Sequence, residues 1–481
     1  MTGVVRTGLL VMAAMLCAVR MGFGADLRLV EAAERRDTAA VRALIALGAN
    51  AATAQPDGAT ALHWAAHHGD VEVARALLAA GALVDAANDF GVTPLSLAVT
   101  HGSIRMVALL LASGARANLA LPSGETPLMT AARAGSLDAV TLLLDRGAHV
   151  NHQESTKGQT ALMWALFEDH VDVARFLADR GADIHLRSHS GMTPLLFAAR
   201  QGNLDAVRLL LGRGARIDEP NADGVTPLLM ATVRGHVADI ELLLVRGADP
   251  NADAAGFTAL HWAAGTWETS MTHDYPEAEG EWKALGGLQE RKAHVITLLL
   301  AHGADINARA KKNPPRFGVN MFYHIKMAGA TPFWIAAMSA DVEVMRQLAS
   351  RGADTTSPTA DGVTPLMVAA GMGRVEGDSR IGDAQSVEAA RLCLELGNAI
   401  NAVSGSGETA LHGAAWFGLD EVARFLVAQG ADMRIKDRQQ QTALDVAEGT
   451  TRSLLFRTHP STAKVLRALA DRPTQTPVRQ D

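Results

Sequence analysis

Asn221–Asn251 reads NADGVTPLLMATVRGHVADIELLLVRGADPN, and almost all of the chain is a variation on it. Asp223-Gly224 is a tight-turn dipeptide, placing a hairpin tip ahead of a helix pair. Thr226 stands where a hydroxyl can accept from a free helix N–H, and Pro227 follows at the first helical position, where a missing donor costs nothing. The spacing predicts a first helix from Leu228 to about Val233, broken at Gly235 and His236. A second helix carries Ile240, Leu242, Leu243 and Leu244 and stops at Gly247. Neither helix is long enough to stand alone in water. The Thr-x-Leu/Phe signature recurs at Thr60, Thr93, Thr126, Thr160, Thr193, Thr226, Thr258, Thr331, Thr364, Thr409 and Thr442, with gaps of 33, 33, 34, 33, 33, 32, 73, 33, 45 and 33 residues. Each copy exposes apolar residues on both flanks and buries them only by stacking on its neighbours.

A 33-residue period carrying T-P-L-x-x-A and Gly-Ala-Asp resembles the ankyrin repeat over roughly residues 26–470. The resemblance implies an all-α solenoid of about twelve helix–turn–helix repeats with short β-hairpin fingers. It also implies a general activity, protein binding without catalysis or cofactor, but names no partner. Composition agrees: 48% hydrophobic with only 4% aromatic suits many Ala/Leu helix contacts. A net charge of −7 without a long basic run argues against nucleic-acid binding.

In order along the chain, residues 1–24 read as a bacterial-type secretory signal. Arg6 supplies the positive start, Gly8–Val19 an apolar run too short to span a bilayer, and Gly22-Phe23-Gly24 a small-x-small cleavage site. A retained anchor is the alternative. The expected product is exported, periplasmic or extracellular, with no transmembrane span and a charge of −9, since only Arg6 and Arg20 leave. Cys393 is then the one remaining cysteine, which excludes an internal disulfide. Its place in Leu392-Cys393-Leu394 matches the slots of Leu210 and Leu243, so it reads as a small buried hydrophobe and the chain as a monomer. Residues 26–54 form a polar N-terminal cap and 55–252 regular repeats. Residues 253–402 carry insertions, 403–470 the last repeat and C-terminal cap, and 471–481 a polar tail expected to be disordered.

Identity is expected to reside in residues 262–390. Insertions at Thr266–Lys292 and Gly373–Gln385 separate the helices of a repeat, and one at Arg309–Ala328 lengthens a finger; insertions in such arrays map to loops. Trp267, Tyr275, Trp282, Phe317, Phe322 and Tyr323 place six of the 21 aromatics in 47 residues of the first two insertions. Rings at that density are either interface anchors or pins that hold long loops down. The first insertion holds six acids and three bases, the second five bases and no acid. They pair with one another or present a bipolar surface in which Lys311, Lys312 and Arg316 meet the partner.

The resemblance implies a second surface, the groove formed by residues after the inner-helix Ala-Ala: His67, His68, His101, Phe167, Glu168, Phe417 and Trp416. Arg133, Arg200 and Arg234 occupy the same places and suggest a cationic stripe. Trp64, Trp164 and Trp262 share one slot with Leu97, Phe197, Met230 and Ile335 and read as packing between repeats. His63, His261 and His412 belong to T-A-L-H, where the imidazole satisfies nearby backbone. His67-His68 lacks the acid of a zinc-protease helix, and Asp378 and Asp383 lack calcium-loop spacing. His273, Asp274 and His294 leave open an alternative, an envelope enzyme or metal site beneath the insertions near 266–328. No metal ligand set, phosphate loop or nucleophile motif is present in the sequence.

Overall fold

The computed structural model describes residues 26–265, 291–312, 325–373, 381–449 and 458–471. These form twenty-four helices, with no strand among the described residues and a single antiparallel bridge, Ala54 to Thr60. The fingers are tight turns closed by backbone bonds such as Asn221 N–H to the Val225 carbonyl at 3.0 Å. Chain contacts gather into two compact blocks, residues 1–190 and 191–481.

In each block the inner helices stack on inner helices and the outer on outer. In the first, Ala61–His68 lies between Arg28–Glu34 and Pro94–Thr100, while Val71–Ala79 lies between Thr38–Ala46 and Ile104–Ala112. In the second, Pro227–Arg234 and Val237–Val245 form the helices of the repeat quoted above. The Thr226 hydroxyl accepts from the Leu229 N–H at 3.2 Å, as its N-cap position requires. Gly224 has φ +84°, and a Cβ there would lie 2.3 Å from the Ala254 carbonyl carbon, so the turn and the next repeat both demand glycine. The last helices among the described residues are Ala443–Glu448 and Pro460–Ala470. Cys393 is fully buried and free, and burial pushes its thiol pKa up.

The T-A-L-H histidines are structural. The Thr60 N–H donates to Nδ1 of His63 at 3.0 Å, and Nε2 reaches the Val92 carbonyl of the next repeat at 3.0 Å. His261 repeats this with Thr258 and Ala330, and His412 with Thr409 and Gln441. One imidazole thus caps its own helix and ties it to the following finger.

Two features were not singled out in the sequence. His170 and His236 begin outer helices, and their Nε2 atoms reach the Arg133 and Arg200 carbonyls of the preceding repeats at 3.1 and 3.0 Å. Gly135 and Gly202 leave room for those rings; a Cβ would meet them at 2.6 and 2.4 Å. The second is Asp239, the third residue of Val237–Val245, in the slot filled by Val73, Val173 and Ala206 in other repeats. Its carboxyl is fully buried, neither oxygen has a hydrogen-bond partner, and burial lifts its pKa to about 7.

Candidate functional site

The inner-helix face of the first block gathers rings from successive repeats. His67 and His101 meet at right angles with centroids 4.3 Å apart, and His68 lies 5.0 Å from His67. Trp64, one turn back, stacks on His68 at 5.9 Å and meets His67 edge-on at 5.8 Å. Trp64 is held by an indole N–H bond to Gln55 at 3.0 Å, and His68 by a bond from Nε2 to the Glu34 carbonyl at 3.0 Å. Packing therefore fixes half of the cluster, while His67 and His101 remain exposed. Burial, and after it the neighbouring His101 and His68, hold the His67 pKa below its ordinary value.

Two repeats further on, Arg133 is 3.1 Å from Glu125, and its guanidinium lies over the Trp164 ring, 4.9 Å from the centroid. Glu125 also accepts from the Thr130 hydroxyl at 2.9 Å. Glu125, Thr130, Arg133 and Leu97 line a cleft of about 240 Å³. The charge of Arg133 is thus met within the protein, so what it offers a partner is a positioned guanidinium over an indole rather than a bare cation. Trp64 and Trp164 remain half-buried in this face.

In the second block, Arg200 and Arg234 are half-buried, and the Arg234 Nε donates to the Arg200 carbonyl at 3.4 Å. Trp262 is sealed in the core, stacked on Phe257 at 5.8 Å. Trp416 is half-buried, its indole N–H bonded to Glu408 at 3.2 Å. Lys311 and Lys312 are exposed at the mouth of the second insertion, Lys311 paired with Asp253 at 2.7 Å. A cleft of about 730 Å³ lies among the finger tips, lined by Lys326, Asp361, Ser404, Ser406, Glu408 and Arg438.

Trp267, Tyr275, Trp282, Arg316, Phe322 and Tyr323 lie outside the described residues, as do Phe317, His273, Asp274 and Asp378 and the segment 1–24. Among the described residues, no three His, Cys, Asp or Glu side chains converge to hold a metal ion. No helix among them is long and apolar enough to cross a membrane. Repeat register puts His67, His68 and His101 on the groove face, and the stacking of the repeats brings their rings together. The signal was there: His68 and His101 hold the same register after Thr60 and Thr93.

A family model described as ankyrin repeats in three copies matches residues 29–120, 113–188 and 195–269. A single-copy ankyrin-repeat model matches residues 406–438. Together these cover more than half of the chain. Among solved structures, the crystal structure of the human ASB11 ankyrin repeat domain is 32% identical, with a TM-score of 0.42. The match spans 46% of this chain and 98% of that one.

Proposed function

The chain belongs to the ankyrin-repeat family, and from that premise we propose that it is a non-catalytic scaffold that binds a protein partner through its inner-helix groove and its inserted loops. The observation that carries this reading is the inner-helix face of residues 26–190. There Trp64 is held by Gln55, and Arg133 by Glu125 and Trp164, before any partner arrives. Side chains already held in place lose little conformational entropy on binding, so more of the contact energy shows as affinity. Aromatic and arginine side chains are also the residue types that anchor protein interfaces.

The same proposal places the protein outside the cytoplasm, on the strength of the Arg6, Gly8–Val19 and Gly22-Phe23-Gly24 pattern. It assigns recognition to two surfaces. One is the inner-helix face of each block, with Arg133 in the first and Arg200, Arg234 and Trp416 in the second. The other is the pair of insertions carrying Trp267, Tyr275, Trp282, Lys311, Lys312, Arg316, Phe322 and Tyr323.

The test is affinity capture from an envelope extract with purified Ala25–Asp481. Three forms are compared: the unaltered chain, one with 266–292 and 309–328 shortened to repeat length, and a Trp64→Ala/Arg133→Ala groove variant. Loss with the shortened form puts recognition in the insertions, and loss with the groove variant puts it on the inner helices. Capture of no protein by any form, together with stoichiometric metal on the unaltered chain, would overturn the scaffold reading.

A further inference from the structure

Four rings from two successive repeats share one patch of the inner-helix face, with Trp64, His68 and His101 each within 6 Å of His67. Among the described residues, no hydrogen bond or ion pair joins His67, His68 or His101 to a carboxylate, and the nearest link to one is Glu34 through the Gln55 amide that holds Trp64. The carboxylates on surrounding elements are engaged elsewhere. Glu31 pairs with Arg35, and Glu34 accepts from the Gln55 amide. Glu72 pairs with Arg42 and Glu125 with Arg133, while Asp57 accepts from the Ala59 N–H. The outer helices behind the patch carry the cations Arg75 and Arg105. The charges that bear on His67 are those of His101 and His68, and both oppose its protonation.

The geometry points to a docking site at this cluster for a carboxylate-bearing segment of a protein partner, held more tightly as the pH falls. The inference rests on the groove reading and adds to it the chemistry of the ligand. Charge complementarity selects the ligand. A carboxylate entering the patch meets imidazole N–H donors that lack an internal acceptor of opposite charge, and the Trp64 face offers apolar contact to the adjoining chain. Binding takes up a proton, because the carboxylate favours the His67 imidazolium that its surroundings disfavour. A group that gains a proton on binding makes affinity rise as pH drops through the imidazole range. Glutamate side chains stay ionised there, so the ligand does not lose its charge at the same time.

The probe is fluorescein-labelled hexaglutamate, with hexaglutamine as the neutral control, titrated with the full chain and read by anisotropy at pH 7.5, 6.5 and 5.5. Hexaglutamate is expected to bind about tenfold more tightly at pH 5.5 than at 7.5, a change set by the imidazole titration range, and hexaglutamine is not. The exposed double variant His67→Gln/His101→Gln is expected to remove that pH dependence. Equal affinity at all three pH values, equal binding of hexaglutamine, or an undiminished pH dependence in the double variant would overturn the inference. If envelope capture still fails for the Trp64→Ala/Arg133→Ala variant while hexaglutamate ignores pH, the scaffold reading stands and the acidic-ligand inference alone falls.

Discussion

Replacing Asp239 by Val restores the residue type that other repeats use in that slot, and it should stabilise the surrounding repeat in a pH-dependent way. The ordinary carboxyl pKa is 3.8, and burial lifts that of Asp239 to about 7 in the folded chain. Charged groups on the packed elements, Asp205 and Arg208 on one side and Arg234 on the other, make no hydrogen bond to it. A raised folded pKa means the folded state holds its proton longer than the unfolded chain. The stability that goes with the protonated form is therefore present near pH 4 and lost as pH rises towards and through 7. At 1.36 kcal/mol per unit, the raised pKa lowers the stability of the repeat by about 2 kcal/mol at pH 5, where only the unfolded chain ionises, and by about 4 kcal/mol at pH 8. Val at this position removes that cost. Arrays of repeats open locally, so the assay is hydrogen exchange of the peptide spanning Val237–Val245 rather than one global melt. After correction for intrinsic exchange, the variant should gain about three decades of protection at pH 8 and little more than one at pH 5. A gain of the same size at both pH values, or a loss of protection, would show that the carboxyl is solvated or partnered in solution and refute the reasoning.

Two further predictions concern the joints between repeats. Burial depresses the His261 pKa from 6.5 to about 4, so its contribution to stability is complete above pH 6.5 and lost as the pH falls towards 4. The loss should reach about 3 kcal/mol by pH 4. A His261→Ala variant should be weaker than the unaltered chain at pH 7.5, with the gap closing on acidification, as read by exchange of the Ala259–Ala264 peptide; a gap that widens on acidification would contradict this. Gly224→Ala places a Cβ 2.3 Å from the Ala254 carbonyl carbon at φ +84°, whereas Gly247→Ala, at φ +90°, meets nothing within 4 Å. Both should destabilise, the second by about 1 kcal/mol of backbone strain and the first by clearly more, since the chain must also shift. Equal urea midpoints for the two variants would mean that the finger of the next repeat yields freely.

Much of the architecture was legible because it is local. Thr226, Pro227, Gly235 and Gly247 act through bonds and dihedral angles within a few residues of themselves, so a 33-residue period of such signals specifies helix, break, helix and stop. The burial of Cys393 and the capping role of His63, His261 and His412 followed from their repeat slots for the same reason. The fingers are local too, closed by bonds such as Asn88 N–H to the Val92 carbonyl at 3.0 Å. Their turns are held to neighbouring repeats by contacts such as Asp89 N–H to the Asp57 carbonyl at 2.8 Å.

What the sequence alone determined, then, is the unit of the fold and its multiplication, which depend on chain-local chemistry. Only the tertiary structure decided which side chains of adjacent copies meet. It brought His67 against His101, set Arg133 between Glu125 and Trp164, and left Asp239 without a donor. The His67–His101 and Arg133–Trp164 contacts turn on ångström-scale distances between residues about thirty apart in the chain. Helical periodicity assigns each residue to a face, but the stacking of one repeat on the next sets what that face touches.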